Sequence, residues 1–355
     1  MGRVLQPLWR NQDERAEEVN AIRINGGGLA GLSLGIYLRR QGVGVEVIES
    51  GKYPKHKVCG EFICGVSPEV LAELGISQII EQSVTHRKMT WWMEDSKVLE
   101  DTLPTVAWGL SRYKSDQDLA ALFTELGGEL HTGKRARSDD ASGTVWATGK
   151  RKKRGRWIGL KIHALNADID GLEMHVGKRG YIGLCGVENG RTNCCGLFRV
   201  DKSAKGSGSE LVENYLRVND LLDLASSFQG WEKDESSFSA TAGFSFGGQE
   251  QVGNFCVGDA SYLIPPFTGN GMSMALESAW LAGPWLVKYA RGEVTWEQAV
   301  SAYESECNVY FKKRMKLSGA MQPLLFHRLG RALLKTTAKT GMLPFEFLFH
   351  QLRTP

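Results

Sequence analysis

The sequence lacks the features that mark several large classes of protein. Its seven cysteines include no C-x-x-C pair, which indicates neither a zinc site nor a disulfide scaffold and favours reduced thiols in a cytoplasmic protein. No apolar run approaches the ~20 residues that a membrane-spanning helix needs. A net charge of +3 is too small to imply a nucleic-acid partner, and the N-terminal segment is too polar for a signal peptide.

What is present is an ordinary globular composition on a long chain. Hydrophobic residues make up 42% of the sequence and charged residues 23%, and both values are typical of soluble proteins. A chain of 355 residues can bury a large core, which predicts two lobes or one elaborate domain.

Residues 19–50 are the most informative stretch, because they predict a strand, a glycine turn, a helix and a second strand. Their G-x-G-x-x-G spacing permits a tight turn, admits a pyrophosphate at Gly28 and lets helix and strand pack closely at Gly31. The N-terminus of the helix offers N–H groups and a positive dipole to the phosphates. Glu49 ends the second strand, where a carboxylate accepts both hydroxyls of an adenosine ribose. We therefore predict a dinucleotide site formed by Gly26, Gly28, Leu29, Ala30, Gly31 and Glu49.

The next elements predict that the chain leaves a parallel sheet and returns to it. Arg23 and Asn25 interrupt the apolar run expected of a central parallel strand, which predicts a short strand or one near a solvated edge. Strands are expected within 84–110 and a helix over 115–126, with Ser115 and Asp118 resembling a capping box. Further strands follow within 129–149.

From residue 157 to residue 200 the pattern becomes antiparallel. Two-residue hairpin turns are predicted at Asp170-Gly171 and at Asn189-Gly190. A long helix is predicted over 295–317, with Thr295 and Gln298 as its capping box. The second half of the chain therefore predicts an antiparallel sheet followed by helices.

Residues 258–279, GDASYLIPPFTGNGMSMALESA, resemble the second flavin motif of FAD-dependent monooxygenases and oxidoreductases of the para-hydroxybenzoate hydroxylase and geranylgeranyl reductase superfamily. Ser111-Arg112 resembles the arginine that contacts FAD in many relatives, and the stretch 57–61 is similar to the K-x-C-G-E stretch of geranylgeranyl reductase-like proteins. Reduced flavin carries negative charge near N1, and a helix N-terminus stabilises it. The resemblance implies FAD contacts from Lys57, Cys59, Arg112, Gly258, Asp259, Pro266, Gly269, Asn270 and Gly271.

The resemblance also implies an α/β fold. We expect a Rossmann-like, three-layer FAD-binding domain with an inserted antiparallel β substrate domain and a helical C-terminus. The expected boundaries are 19–155 with 250–295 for the FAD-binding domain, 156–249 for the substrate-binding sheet and 296–355 for the C-terminal helices. FAD is the implied cofactor.

The electron donor stays open between NAD(P)H and a separate flavin reductant. Group A hydroxylases of the superfamily usually carry a D-G motif, before the returning strand, that serves both FAD and the nicotinamide cofactor. The linker 133–143 is short and lacks this motif.

The reaction is open as well, because three chemistries occur in the superfamily. Halogenases carry W-x-W-x-I-P, which Trp91-Trp92-Met93 does not match. Isoprenoid reductases share the K-x-C-G-E stretch but usually carry Y-x-W-x-F-P, and residues 180–184 lack its Trp, Phe and Pro. Monooxygenation is therefore the favoured reaction, with reduction of a carbon-carbon double bond as the alternative.

No motif assigns the catalytic residues. His163 and Tyr181 are candidates, because an imidazole moves protons and a phenol orients ligands, although both residue types are also ordinary in sheets. The histidines lack metal-ligand spacing, so no metal is predicted. The basic cluster 150–156 is interpreted as a solvated loop rather than a nucleic-acid site. The basic, leucine-rich tail from Leu317 onward fits packing against the FAD-binding domain or peripheral contact with a membrane.

These patterns lead to one prediction and two alternatives. We predict an FAD-dependent oxidoreductase, a monooxygenase that hydroxylates or epoxidises a hydrophobic or aromatic small molecule of secondary metabolism. The first alternative is a flavin-dependent carbon-carbon double-bond reductase of the geranylgeranyl reductase type. The second is a non-catalytic binding protein that FAD stabilises.

Overall fold

The computed structural model of the protein describes residues 20–136, 141–149, 155–244, 255–261 and 266–353. Most of the predicted basic cluster 150–156 and the centre of the linker 133–143 lie outside the described residues. Within them, two sheets and ten helices form the α/β fold that the motifs predicted.

The first sheet is parallel, with its strands in the order β6-β2-β1-β7. The strands are β1 (Ile22–Asn25), β2 (Val45–Glu49), β6 (Glu129–Thr132) and β7 (Thr144–Trp146). A parallel bridge between Trp146 and Cys256 continues it, so the chain returns to this sheet as predicted. Of the two alternatives predicted for β1, the short strand is confirmed, since it has 4 residues, and the solvated edge is wrong, because β1 lies between β2 and β7. Arg23 instead pairs with Glu46 on the neighbouring strand, and Asn25 is fully buried.

The second sheet has eight strands in the order β12-β8-β11-β10-β9-β4-β5-β3, and only the pair β4-β9 is parallel. Three strands come from the first half of the chain: β3 (Phe62–Cys64), β4 (Val84–Met93) and β5 (Ser96–Gly109). Five come from the second half: β8 (Trp157–Ala164), β9 (Leu172–Val176), β10 (Gly180–Val187), β11 (Arg191–Arg199) and β12 (Lys233–Phe244).

One predicted hairpin is confirmed and the other is wrong. Asn189 and Gly190 have φ angles of +61° and +66° and join the antiparallel pair β10-β11. Asp170-Gly171 does not join a hairpin, because β8 lies between β11 and β12 whereas β9 lies between β10 and β4. The position of β9 in the sheet is set by its pairing with β4, which is distant in the sequence. A local turn signal carries no information about that partner strand.

The helices cover both sheets. They are α1 (Leu29–Arg40), α2 (Pro68–Leu74), α3 (Ser77–Ile80), α4 (Arg112–Glu125), α5 (Gly208–Val218), α6 (Leu222–Gly230), α7 (Gly271–Ala290), α8 (Trp296–Phe326), α9 (Arg328–Lys339) and α10 (Phe345–Arg353). The predicted start of α4 at Ser115 is wrong, since Ser111 is the N-cap and its Oγ accepts a hydrogen bond from the N–H of Lys114. Arg112 therefore begins the helix. None of the described helices is long and apolar enough to cross a membrane.

Two cores hold these layers together. Helix α1 is buried almost all round, because α4 and α7 pack on it beside the parallel sheet. On the second sheet, apolar residues such as Leu160 and Ile162 pack against Leu216 of α5 and Phe228 of α6. Since side chains alternate along a strand, the intervening residues of β8 face the other way, toward the FAD motifs.

Candidate functional site

The glycine turn after β1 packs its backbone against other backbone atoms. Gly26 has a φ of +114°, and a Cβ there would lie 2.3 Å from the carbonyl oxygen of Ala147. A Cβ on Gly31 would lie 2.0 Å from the carbonyl oxygen of Gly26. Both positions therefore require glycine, as the spacing predicted.

Gly28 faces two cations instead. A Cβ at Gly28 would lie 3.5 Å from Nη2 of Arg112 and 3.8 Å from Nζ of Lys57. Buried Asp116 accepts two hydrogen bonds from Arg112, of 2.9 and 2.8 Å, and one of 2.8 Å from Lys57. Burial acts to raise the pKa of Asp116, but Arg112 and Lys57 hold it below its ordinary value, so the carboxylate stays charged. Because Arg112 and Lys57 share the single carboxylate of Asp116, a net positive charge remains beside the N-terminus of α1. This charge suits a pyrophosphate.

The sequence interpretation missed Asp116, although its spacing of four residues from Arg112 on a helix is a signal for an ion pair. Glu49 was predicted, and it turns toward the glycine loop from the end of β2. Its carboxylate accepts hydrogen bonds from the N–H groups of Gly27, at 2.8 Å, and Gly51, at 2.6 Å. The hydroxyl of Tyr53, also missed, donates to the carbonyl oxygen of Gly27. The contact of Glu49 with a ribose stays a prediction.

The second flavin motif meets the first at helix α1. Gly258 and Asp259 lie in a one-turn 3₁₀ helix, Gly258–Ala260. A Cβ on Gly258 would lie 3.0 Å from the Cβ of Ala30, and the N–H of Gly258 donates to Oγ of Ser278 at 2.8 Å. Two motifs far apart in the sequence therefore contact each other where Gly258 packs on Ala30 of α1.

The remaining residues of the second motif form the turn that opens α7. Pro266 begins a 3₁₀ turn, Pro266–Thr268, and Gly269 follows with a φ of +65°. A Cβ on Gly269 would lie 2.2 Å from the ring of Phe62. At Gly271, by contrast, no atom of the described residues beyond its chain neighbours and its own helix turn lies within 4 Å of the Cβ position. The turn is thus packed on one side and open beside the first residue of α7.

The residues present fit FAD. The Gly28 position is bounded by two cations, and the Gly271 position is open. Asn270 is 1% exposed, and its Oδ1 has no partner among the described residues while its Nδ2 donates to the carbonyl oxygen of Leu352. A buried acceptor without a partner is unfavourable unless a ligand or water donates to it. FAD held here supplies the hydride-transfer chemistry, and the protein supplies orientation and electrostatics.

A buried carboxylate joins this region to the second sheet. Glu61 is fully buried and has a φ of +58°. Its Oε2 lies 2.7 Å from Nε2 of His163, and its Oε1 lies 3.5 Å from Nζ of Lys161. The same Oε1 accepts the N–H of Arg112 at 3.0 Å. The sequence indicated no catalytic dyad, and its only signal for the Glu61–His163 contact was the final Glu of the K-x-C-G-E stretch.

The start of α4 is held by a second carboxylate from the second sheet. Glu188, in the turn between β10 and β11, accepts hydrogen bonds from the N–H of Ser111 at 2.9 Å and from its hydroxyl. Asn193 on β11 donates to the carbonyl oxygen of Cys59 at 2.9 Å. The helix that carries Arg112 is therefore fixed by the sheet expected to bind the substrate.

His56 extends the buried cluster toward the surface. Its Nδ1 lies 3.0 Å from Nζ of Lys161, and its ring stacks on Tyr113 with centroids 4.4 Å apart. Burial, together with the charge of Lys161, lowers the pKa of His56 to about 4, and burial lowers the pKa of Lys161. His56, Glu61 and His163 bring their ligand atoms within 4.8 Å of one another. The Lys161 ammonium, however, already contacts His56 and Glu61. A positive charge at this position disfavours a metal ion, so the cluster is better suited to proton transfer.

The two catalytic candidates lie on one face of the second sheet. His163 pairs with Asn193 across β8-β11, and Asn193 pairs with Cys185 across β11-β10. Tyr181 is four residues before Cys185 on the same strand, so its side chain points the same way. Burial raises the pKa of Tyr181, which keeps its phenol neutral. The structure therefore places His163 and Tyr181 on the same surface without direct contact between them.

The part of this face around Tyr181 is apolar. Phe267 from the turn before α7 closes a narrow cleft against it. The cleft is lined by Met174, Val176, Tyr181, Phe267, Leu325 and Phe326. Between this cleft and the polar cluster lies Gly183, where the nearest atoms to a Cβ would be carbonyl oxygens at 3.7 and 3.8 Å.

Together, the glycine turn on the parallel sheet, the second motif packed on the same helix and the covering antiparallel sheet define the fold of FAD-dependent oxidoreductases and monooxygenases. Residues 18–160 match the protein family described as FAD binding domain. Residues 18–160 therefore resemble an FAD binding domain, and the resemblance predicted from the motifs is confirmed.

Solved structures show the same fold over nearly the whole chain. The chain is similar to PqsL of Pseudomonas aeruginosa in complex with 2-aminobenzoylacetate, with a TM-score of 0.70 and 14% identity over 89% of this chain and 99% of PqsL. It is similar to HpxO of Klebsiella pneumoniae complexed with FAD and uric acid, with a TM-score of 0.68 and 15% identity over 96% and 100% of the two chains. The flavin-dependent brominase Bmp2 gives a TM-score of 0.67 and 17% identity over 93% and 96%.

Among curated proteins, 71 residues are 28% identical to Conditioned medium factor receptor 1 of Dictyostelium discoideum. This match spans 20% of the present chain and only 14% of the length of that receptor. At such identities, the likeness to PqsL, HpxO and Bmp2 establishes the fold.

Proposed function

We propose that the protein is an FAD-dependent monooxygenase that hydroxylates or epoxidises a hydrophobic or aromatic small molecule of secondary metabolism. The observation that carries this proposal is the position of Phe267. This residue belongs to the turn assigned to the flavin, and it also lines the apolar cleft with Tyr181 and Phe326. The cleft is too narrow for a water molecule in this structure, so a substrate would have to separate these side chains, and it would then lie beside the cofactor in a site from which water is excluded.

The proposal assigns the cofactor contacts to the residues predicted from the sequence. Gly28, Lys57 and Arg112 would hold the pyrophosphate, Glu49 would hold the ribose, and the turn opening α7 would hold the flavin. The full set is Gly26, Gly28, Leu29, Ala30, Gly31, Glu49, Lys57, Cys59, Arg112, Gly258, Asp259, Pro266, Gly269, Asn270 and Gly271. The domain boundaries are proposed as they were expected, at 19–155 with 250–295, 156–249 and 296–355.

Proton transfer in this site is assigned to the Glu61–His163 pair. A histidine hydrogen-bonded to a buried carboxylate is held in one orientation, which suits a group that takes or gives a proton. The neutral phenol of Tyr181 orients the ligand from the apolar cleft.

The alternative is a carbon-carbon double-bond reductase, and one observation favours it. Cys59 lies in the K-x-C-G-E stretch that resembles geranylgeranyl reductase-like proteins, and burial raises the pKa of its thiol, which therefore keeps its proton. The third candidate, a binding protein stabilised by FAD, predicts a bound flavin that no donor reduces.

Two further proposals concern the surroundings of the protein. The seven cysteines of the sequence include no C-x-x-C pair, and the reducing cytoplasm is proposed as the location on this cysteine usage. The tail from Leu317 onward carries Arg328, Arg331, Lys335 and Lys339 on α9, which has no acid, so peripheral contact with an anionic membrane is proposed for it.

The decisive experiment follows the absorbance of bound FAD in the purified protein. Addition of NADH, NADPH or dithionite is expected to bleach the flavin, and NAD(P)H and a separate flavin reductant are distinguished by which of these donors acts. Rapid recovery in air, with ¹⁸O from labelled oxygen in the product of an aromatic probe such as 2-aminobenzoylacetate, supports the monooxygenase. Slow recovery in air supports the reductase, and a flavin that no donor reduces contradicts both enzymes.

A further inference from the structure

The last residue of α10 contacts the turn that opens α7. Nη2 of Arg353 donates to the carbonyl oxygen of Thr268 at 2.9 Å, and Nη1 lies 3.5 Å from the carbonyl oxygen of Gly269. Nη1 also donates to the carbonyl oxygen of Cys64 at 2.9 Å, at the end of β3. A single guanidinium from the C-terminal helix therefore spans the turn assigned to the flavin and the neighbouring strand.

These contacts set the direction of two backbone donors. In a planar trans peptide the C=O of one residue and the N–H of the next point in opposite directions. Because the carbonyl groups of Thr268 and Gly269 point toward Arg353, the N–H groups of Gly269 and Asn270 point away from it. Gly269 and Asn270 come directly before α7, whose first N–H groups have no partner within the helix.

The position of Arg353 is itself fixed from several sides. Its carbonyl oxygen accepts a hydrogen bond of 2.7 Å from Nη2 of Arg314, which also forms a buried bidentate pair with Glu277 of α7. The Nδ2 of Asn270 donates to the carbonyl oxygen of Leu352 at 2.8 Å. A Cβ on Gly65 would lie 2.7 Å from the Cβ of Arg353. The backbone at Gly65 therefore leaves no room for the aliphatic part of the Arg353 side chain to shift. Helices α7, α8 and α10 thus hold one another at the turn.

We propose that Arg353 is a positioning residue of the FAD site, and the proposal rests on the proposed function in that FAD binds at this turn. The guanidinium holds the two peptide units so that their N–H groups face the cofactor. Its positive charge behind the turn also adds to the positive end of the α7 dipole, which stabilises the negative charge of reduced flavin. A lysine provides the charge but not the planar fork that spans two carbonyl groups.

Arg353→Gln, Arg353→Lys and the wild type are compared by titrating the apoprotein with FAD and by measuring the midpoint potential of the bound flavin. Arg353→Gln is expected to raise the Kd for FAD at least tenfold and to make the midpoint potential more negative. Arg353→Lys is expected to recover the potential more completely than the affinity. The matched control is Arg331→Gln, because Arg331 of α9 also donates to a backbone carbonyl, that of Lys178, but away from the turn.

The outcomes separate a local effect from a general loss of structure. Circular dichroism checks that Arg353→Gln is folded. If the folded variant keeps the Kd of the wild type within twofold and has the same midpoint potential, Arg353 has no positioning role. An equal loss in Arg331→Gln also overturns the proposal, because loosening of the C-terminal helices would explain both. If the wild type itself fails to take up FAD, the proposed function fails with it, and that result is recognised before any variant is compared.

Discussion

Glu61 and His163 are 102 residues apart in the sequence, and Oε2 of the one lies 2.7 Å from Nε2 of the other. Glu61 is 0% exposed and His163 is 1% exposed. The pair joins the K-x-C-G-E stretch to β8 of the second sheet, and Lys161 supplies a positive charge beside it. Since water screens none of these groups, the charge of Glu61 is expected to matter for stability as well as for proton transfer.

Glu61→Gln removes the only carboxylate that the structure shows within 4 Å of Lys161 among the described residues. Breaking a buried ion pair by removing one partner costs about 3–5 kcal/mol, because the remaining charge is buried without compensation. We expect a loss of about 3 kcal/mol in the free energy of unfolding, measured by urea denaturation. The matched control is Glu46→Gln, which removes the partly exposed pair with Arg23 and should cost no more than about 1 kcal/mol. Equal losses in the two variants would contradict this account of the cluster.

His56 predicts a pH dependence of stability with a defined sign. In the unfolded chain a histidine titrates near pH 6.5, whereas burial and Lys161 lower the folded pKa of His56 to about 4. As the pH falls from about 6.5 to about 4, the unfolded state takes up a proton that the folded state does not. The contribution of neutral His56 is therefore fully present above pH 6.5 and is lost toward pH 4.

The measurement is the urea midpoint across this pH range for the wild type and for His56→Asn. The variant cannot take up the proton, so its stability should decrease less as the pH falls. His131→Asn, on β6 of the first sheet and outside the cluster, provides the control with the same substitution. The interpretation is wrong if His56→Asn keeps the full wild-type slope.

Some local signals in the sequence predicted the local structure correctly, whereas the capping box expected at Ser115 and Asp118 did not. Thr295 and Gln298 form the predicted capping box, with reciprocal hydrogen bonds of 2.9 and 3.3 Å at the start of α8. Gly26 and Gly31 make the close backbone contacts that their spacing predicted. Such features depend on residues a few positions apart, which a spacing rule describes completely.

Features that depend on distant partners could not be predicted in the same way. The hairpin expected at Asp170-Gly171 failed because β9 pairs with β4, and nothing in the turn specifies that strand. Glu61 contacts residues on other elements, Asp116 joins Arg112 of its own helix to the distant Lys57, and the contact of Arg353 with Thr268 spans 85 residues. Long-range pairing decides these positions, so the sequence located the cofactor motifs but not the buried groups around them.

Two of the three glycines of the first motif, Gly28 and Gly31, are expected to have different effects when each is replaced by alanine. A methyl group at Gly31 would lie 2.0 Å from the carbonyl oxygen of Gly26, a clash with backbone that the fold cannot relieve locally. At Gly28 the nearest atoms are side-chain nitrogens of Arg112 and Lys57 at 3.5 and 3.8 Å, an ordinary contact distance. Gly31→Ala should therefore destabilise the protein by about 1–3 kcal/mol, the cost of overpacking a filled site.

Gly28→Ala should leave stability nearly unchanged and instead weaken FAD binding, because its methyl group takes the space assigned to the pyrophosphate. We expect at least a tenfold rise in the Kd for FAD, measured by titration of the apoprotein. The thermal midpoint of the same apoprotein gives the stability. A Gly28→Ala variant that binds FAD like the wild type would place the pyrophosphate elsewhere.

Helix α9 offers the sharpest test of the proposed membrane contact. Gly330, Leu334 and Ala338 face the protein, whereas Leu329 is 74% exposed and Leu333 is 58% exposed on the opposite side. Exposed apolar side chains continue past the helix at Met342, 74% exposed, and at Phe347 on α10, 61% exposed. Apolar side chains flanked by basic residues are typical of a helix that lies in the surface of an anionic bilayer.

The experiment is cosedimentation with vesicles of phosphatidylcholine, with and without phosphatidylserine. Binding is expected only with phosphatidylserine and should decrease with added salt, because part of the attraction is electrostatic. Fully burying one leucine contributes about 1.5–3 kcal/mol, so Leu329→Ser with Leu333→Ser should lower binding at least tenfold. Leu222→Ser on α6, where the leucine is 53% exposed, is the control and should bind like the wild type. If the double variant instead abolishes a dimer seen in solution, with no vesicle binding by the wild type, the exposed leucines cover a second copy of the chain and not a membrane.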